Sequence, residues 1–353
     1  MKKIFLMASM ALLLVACGGK SGSGEAVAFL EKMGVKTENV TVLGDSLVIS
    51  LDKQLAHLDA EQTAKLCGAI EPDVLADGQS EGDEAPEGLF SVAAAKAMPG
   101  DVALLFLWHE FGDGGVMYAC TYDADGKYLD GIELGPWSSK HEMPGDGTYQ
   151  CEEESNSGVF NADGFVLNRT LSFTQKEEDM TAKWAIEKTY TYLVDNKGVI
   201  TLKDTKVNKN GNVPADRLLT DEIQDVARMS AKDARVFDTI DKLAARNEVK
   251  QSEDHGYEVA VALASVFQRY PADVVAWAAQ HRDGALMTTL QNAVETGAIE
   301  KKAFDAEVEK LSDAEAKAAL QEKAKSWKVD ATFDEDEGEV ITDDFEAEDF
   351  PEE

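Results

Sequence analysis

The chain has 353 residues, with 67 acidic against 34 basic side chains and a formal net charge of −33. So large a negative excess disfavours contact with nucleic-acid phosphates, and no nucleic-acid partner is expected. Hydrophobic residues make up 44% of the chain, enough to bury folded cores. Beyond residue 17 no apolar run approaches the roughly 18 residues that suggest a membrane-spanning helix.

The chain opens Met1-Lys2-Lys3 and then runs apolar from Ile4 to Ala16. A positive start followed by a short apolar stretch is the pattern of a secretory signal peptide, here residues 1–16. The stretch closes on Leu14-Val15-Ala16-Cys17, with Gly18 and Gly19 after it. This segment, and this segment alone, resembles the lipobox of bacterial lipoproteins. The resemblance implies a diacylglyceryl thioether on Cys17, cleavage after Ala16 and acylation of the new amino group. It further implies a membrane partner through the lipid anchor and a place in the cell envelope. Within that family, Gly18 in place of Asp after the cysteine points to the outer membrane. Two or three acyl chains anchor stably where one does not, at about 0.8 kcal/mol per buried methylene. Residues 17–24, rich in Gly and Ser, form the tether between lipid and folded body.

With Cys17 lipidated, Cys67, Cys120 and Cys151 remain. An oxidising envelope allows one disulfide, and Cys120 and Cys151 are the expected pair because both lie in strand-like runs. Three unbridged buried thiols are the alternative. Cys67 lies in a helical pattern from Ala64 to Ile70 and fits a small buried hydrophobe.

Residues 25–219 are read as a mixed N-terminal region followed by an antiparallel β domain. Glu25 to Met33 has helical spacing. Val40 to Leu51, interrupted by Gly44-Asp45-Ser46, suggests a hairpin. Asp59 with Gln62 three residues on predicts a capped helix to Ile70. Residues 71–88 form an acidic loop. From 101 to 207 the pattern alternates. Val102 to Trp108 is apolar on both faces and predicts a central strand. Phe165, Leu167, Leu171 and Phe173 share one parity, and Trp184, Ile186, Tyr190, Tyr192 and Val194 do the same, as half-buried strands require. Gly112 to Gly115, Asp125-Gly126, Asp163-Gly164 and Asn196-Lys197-Gly198 are expected to supply positive φ at hairpin turns. About seven strands in a meander result, as one twisted sheet, a sandwich or an open barrel.

Residues 220–329 change character, with 22 alanines between Ala227 and Ala324 and few aromatics, and predict five or six short helices. Val236, Phe237, Ile240, Leu243 and Ala244 fall on one face. Ser312-Asp313-Ala314-Glu315 has the form of a capping box, Pro271 suits a first helical turn, and Gly297 suits a helix stop. Residues 330–353 hold 13 acids and no base, the composition of a disordered tail. The expected class is therefore α+β: an antiparallel β-meander or sandwich-like domain, an α-helical bundle-like domain and an acidic tail.

Signals of chemistry are sparse. Gly78-Gln79-Ser80-Glu81-Gly82 matches G-x-S-x-G but lacks the flanking strand and helix of a nucleophile elbow. Asp123 to Lys127 has the Gly too early for an EF-hand and is read as a turn. His109 and Glu110, at a strand end, and Trp137, after Gly-Pro, are the candidate ligand residues. A Cys–His pair of Cys151 with His109 or His141 lacks an orienting third group in the sequence. The expectation is a non-enzymatic binding module for an envelope protein or a glycan, with no cofactor and no metal. A hydrolase or a glycan-binding accessory protein is the alternative.

Overall fold

A computed structural model describes residues 23–43, 55–68, 70, 89–111, 114–145, 148–177, 180–233 and 235–328. The signal peptide, Cys17, the acidic loop at 71–88 with its G-x-S-x-G match, most of the proposed hairpin at 40–51, and the tail at 330–353 lie outside the described residues.

The fold class is α+β, and the β domain is a sandwich of two five-stranded sheets. The first holds β1 (Thr41–Val42), β2 (Leu89–Met98), β3 (Val102–Phe111), β4 (Gly114–Tyr122) and β5 (Tyr128–Gly135), in that order. All its pairings are antiparallel except β1 with β2, which is parallel, so Thr41 and Val42 do not pair as a hairpin arm there. The second is a meander of β6 (Ser138–Gly145), β7 (Thr148–Asn161), β8 (Gly164–Glu177), β9 (Met180–Val194) and β10 (Ile200–Gly211).

Period-two alternation decides what each sheet buries. Leu104, Phe106 and Ala119 from the first sheet meet Phe165, Leu167, Tyr190 and Tyr192 from the second. Phe106 sets its edge against Phe160 and Phe165, at centroid distances of 4.7 and 5.3 Å, the geometry aromatic pairs prefer. On the opposite face of the first sheet, Phe90, Leu105, Leu107 and Tyr122 are covered by α1 (Ser23–Lys32) and α2 (Ala60–Cys67). Helices outside and a sheet inside explain why β3 is apolar on both faces. The predicted capping box of α2 is formed: Asp59 accepts from the Gln62 amide at 2.9 Å and the Gln62 side chain accepts from the Asp59 amide at 2.9 Å. Cys67 is fully buried beneath it.

The second half is helical: α3 (Ala215–Gln224), a 3₁₀ turn (Asp225–Arg228), α4 (Arg235–Ala244), α5 (Asn247–Gln251), α6 (Glu253–Arg269), α7 (Pro271–Gln280), α8 (Ala285–Glu295), α9 (Lys301–Glu309) and α10 (Ala314–Ala324). These α-helices exceed the five or six expected, because α3 starts before the composition shifts and α5 has only 5 residues. One apolar core runs through them from Leu219 to Trp327. The predicted face of α4 is buried throughout. Pro271 opens α7, and Gly297, at φ +76°, follows α8. The cap of α10 is Asp313 rather than Ser312; its carboxylate accepts from the Glu315 and Ala316 amides. No helix among the described residues is long and apolar enough to cross a membrane.

Two other expectations are corrected. Gly126 and Gly198 do adopt positive φ, but Gly114 and Gly115 do not, and nor does Gly164. Its requirement is close approach: a Cβ there would collide with the Tyr192 carbonyl on the neighbouring strand. The Cys120–Cys151 disulfide is not formed. Cys120 lies on β4 and faces α1 and α2, whereas Cys151 lies on β7 of the other sheet.

Candidate functional site

The residues singled out in the sequence do not converge. His109 pairs with Phe90 across β3 and β2 and stacks on it at 4.1 Å, on the helix-covered face of the first sheet. Burial lowers its pKa. Glu110, the next residue on the strand, is exposed. Trp137 is buried in the core between the two sheets, so it offers no face to a sugar. Cys151 pairs with Glu142, which sends His141 to the opposite face of its strand. Asp123 makes a hairpin turn, its carboxylate accepting from the Asp125 and Lys127 amides at 2.9 Å each.

Polar residues gather instead where the second sheet meets the helices. β7, β8 and β9 place Glu154, Arg169 and Lys188 on the inner, apolar face of that sheet. The α3 helix and the 3₁₀ turn lower Asp221, Asp225 and Arg228 onto them. Arg169 binds Glu154 with two bonds, Nε to Oε1 at 2.7 Å and Nη2 to Oε2 at 2.9 Å, and also pairs with Asp221. Lys188 Nζ lies 2.5 Å from both Asp221 Oδ2 and Asp225 Oδ2. The Tyr190 hydroxyl donates to Asp225 at 2.6 Å. Arg228 Nη2 reaches Glu154 at 3.4 Å, and its guanidinium lies 5.8 Å from the Tyr190 ring centroid. Gly135 makes room for Arg228: it sits at φ +87°, and a Cβ would stand 2.7 Å from Arg228 Nη2.

Three cations thus meet three carboxylates, nearly all removed from water. Burial alone would raise the Glu154 carboxyl, but hydrogen bonds and charge from Arg169, with the charge of Arg228, outweigh it and hold it below its ordinary range. For Asp221 burial is likewise outweighed, here by Lys188 and Arg169. Burial disfavours the charged form of Arg169, yet Glu154 holds it protonated. Burial, reinforced by Asp225, keeps the Tyr190 phenol neutral. The seam is a closed charge clamp, with Glu154, Asp221, Arg169 and Tyr190 each held in one protonation state near neutrality rather than poised to exchange protons.

A second polar knot lies nearby. The Asp130 carboxylate, on β5, accepts from the Gly131 amide at 3.0 Å, the Ile200 amide at 2.7 Å, the Ser230 hydroxyl at 2.7 Å and the Tyr270 hydroxyl. It joins both sheets to the helices. Burial raises its pKa, against the hydrogen bonds from Tyr270, Ile200 and Ser230.

No protein-family model, curated protein or solved structure matches the chain.

Beside the seam a groove of about 600 Å³ runs between β10 and the α3–α4 helices. Leu202, Val207, Leu218 and Met229 give it apolar walls, and Lys188, Asp221 and Asp225 line it from the seam. Val207 is 48% exposed in it. The strand side carries Lys203 and Lys209, with Lys206 on the other face of β10; all three are exposed, and none forms an ion pair among the described residues. Of the groove acids, Asp221 and Asp225 are already committed to the seam and Glu222 to Arg246 at 2.6 Å, while Asp204 on β10 is exposed and forms no ion pair among the described residues. The uncommitted charge on β10 is therefore mainly positive, in a chain that is otherwise acidic.

A larger cleft, of about 830 Å³, opens beside α1 and α2 and is lined in part by Lys36, Asn39, His57 and Asp59. His57 Nδ1 lies 3.2 Å from Ser91 Oγ. Ser91 is fully buried, and Asp59 is occupied as the α2 cap, so this pair presents no exposed nucleophile with an orienting acid.

No motif in the sequence marks the seam as a whole. Its trace was there: Arg169 interrupts the Phe165, Leu167, Leu171, Phe173 stripe, and Lys188 interrupts the Trp184, Ile186, Tyr190, Tyr192 stripe. A lone charge at an apolar parity marks a buried partner.

Proposed function

We propose that the protein is a lipid-anchored cell-envelope protein and a non-enzymatic binding module, with the groove along β10 as its ligand surface. The anchor rests on Leu14-Val15-Ala16-Cys17 and the Gly/Ser tether. One observation carries the binding reading. The buried charges of the seam are paired with one another, with Arg228 Nε alone among their nitrogens lacking a hydrogen-bond partner among the described residues, whereas the adjoining groove combines open apolar walls with lysines that form no ion pair among the described residues. A rigid clamp under an open, partly apolar groove is a scaffold for recognition rather than for proton transfer.

Two measurements test it. Metabolic palmitate labelling should mark the wild type and be abolished in Cys17→Ala; equal labelling of both would refute the anchor. A photoreactive residue at Val207 should give a discrete covalent adduct in intact envelopes, reduced by Lys203→Glu with Lys209→Glu. An adduct pattern identical to that of a photoreactive residue at exposed Lys197, outside the groove, would refute the binding surface.

A further inference from the structure

We propose that β10 is a strand-addition site whose occupant is the chain's own acidic segment at residues 339–345; this rests on the reading of the groove as a binding surface. Among the described residues β9 is the one strand paired with β10; the Ile200 amide and the Leu202 carbonyl are taken by Asp130 and Arg235, but further along, from Asp204 to Gly211, the outward amides and carbonyls offer a template for another strand. Edge strands are commonly guarded by lysines and bulges. β10 has both: Lys203, Lys206 and Lys209, and a register shift between Leu202 and Asp204. Unpaired lysines repel most edges yet select a strand rich in carboxylates.

The side-chain parity fits. Thr205, Val207 and Lys209 line the groove, on the same face as Lys188, and Lys206 points to the other face. An added strand alternates in the same way. In Glu339-Val340-Ile341-Thr342-Asp343-Asp344-Phe345, one parity carries Glu339, Ile341, Asp343 and Phe345: two acids alternating with two apolar side chains, for an apolar groove flanked by lysines. The other parity carries Val340, Thr342 and Asp344, placing a carboxylate on the side of Lys206.

The linking chain is long compared with the width of the helices beside it. The Lys328 amide donates to Glu295 at the end of α8 at 3.1 Å. The α8 helix packs on α4, whose Arg235 and Thr239 line the groove. From 328 to 339 an extended chain spans roughly 36 Å. A helix with its side chains is only about 10–12 Å across.

Hydrogen exchange read by mass spectrometry on the full chain tests the proposal. Amides of 339–345 should exchange at least tenfold more slowly than in the same peptide alone. The protection should fall away in Lys203→Glu/Lys206→Glu/Lys209→Glu and in Asp343→Lys/Asp344→Lys, and weaken at about 0.5 M salt, where surface charges are screened. Free-peptide exchange in the wild-type chain would overturn the proposal. So would protection that rises with protein concentration, which would put a second copy in the groove. An unprotected segment together with a foreign adduct at Val207 would sink this inference and leave the functional reading standing; loss of both signals would sink both.

Discussion

Arg169 and Lys188 stand directly opposite each other on β8 and β9, cation against cation, on the apolar face of the sheet. Like charges in that position repel. Asp221 resolves the conflict by pairing with both, one carboxylate oxygen to each. Because Asp221 comes from α3, this sheet position is satisfied only when the helices are docked. The seam is thus a condition for the sandwich as well as a contact upon it.

Removing that carboxylate should therefore be severe. Asp221→Ala leaves two buried cations facing each other and should lower unfolding stability by about 3–5 kcal/mol. Arg246→Ala, which breaks the exposed pair with Glu222, should lower it by about 1 kcal/mol or less. Urea denaturation of the two variants checks the contrast; similar losses would contradict the seam's role.

The pH dependence has a definite sign. Glu154 and Asp221 have folded pKa values held below the ordinary range, so their stabilisation is complete above the unfolded values near pH 4 and is lost as pH falls through the folded values. Asp130 acts oppositely. Its folded pKa is raised, so its contribution is present below the unfolded value and lost as pH rises through the folded one. The urea midpoint of the wild type should fall on acidification below about pH 4, with a shallower fall in Glu154→Gln. Parallel curves would contradict the assignment.

Tyr270 and Asp130 give a smaller, cleaner test. Tyr270→Phe removes one of four donors to a buried carboxylate and should cost about 1.5–3 kcal/mol, the range for hydrogen bonds to charged groups. The variant should also raise the Asp130 pKa further, read by NMR titration of its carboxyl carbon. An unchanged titration would show that the Tyr270 hydroxyl does not bond Asp130 in solution.

The thiols make a chemical prediction. Burial pushes the Cys120 pKa up to about 12, and no disulfide joins it to Cys151. Cys120 should resist iodoacetamide in the folded protein and react on unfolding. Intact mass should show no loss of two hydrogens before reduction. A bridged Cys120–Cys151 peptide would contradict the two-sheet arrangement.

Much of the fold was legible because alternation and caps are local. The β8 and β9 stripes, the α2 capping box and the buried face of α4 are each written within a few residues. Strand β2 was not legible. Ala93, Ala94, Ala95 and Ala97 have little strand propensity, and the strand exists because helices cover one face and the second sheet the other. The seam lay between these cases. Arg169 and Lys188 are visible as lone charges in apolar stripes. Their partners Asp221 and Asp225 lie 52 and 37 positions further on, on elements whose docking no local pattern encodes. The groove arises from that docking and had no sequence signal beyond the lysines of β10.

Native-state hydrogen exchange across the seam tests most directly whether the clamp makes one body of sandwich and helices, as the binding surface requires. With increasing denaturant, the slowest amides of β8, β9 and α6 should merge into a single opening with one free energy, and Asp221→Ala should split them. Helices that open independently of the strands in the wild-type protein would contradict the account.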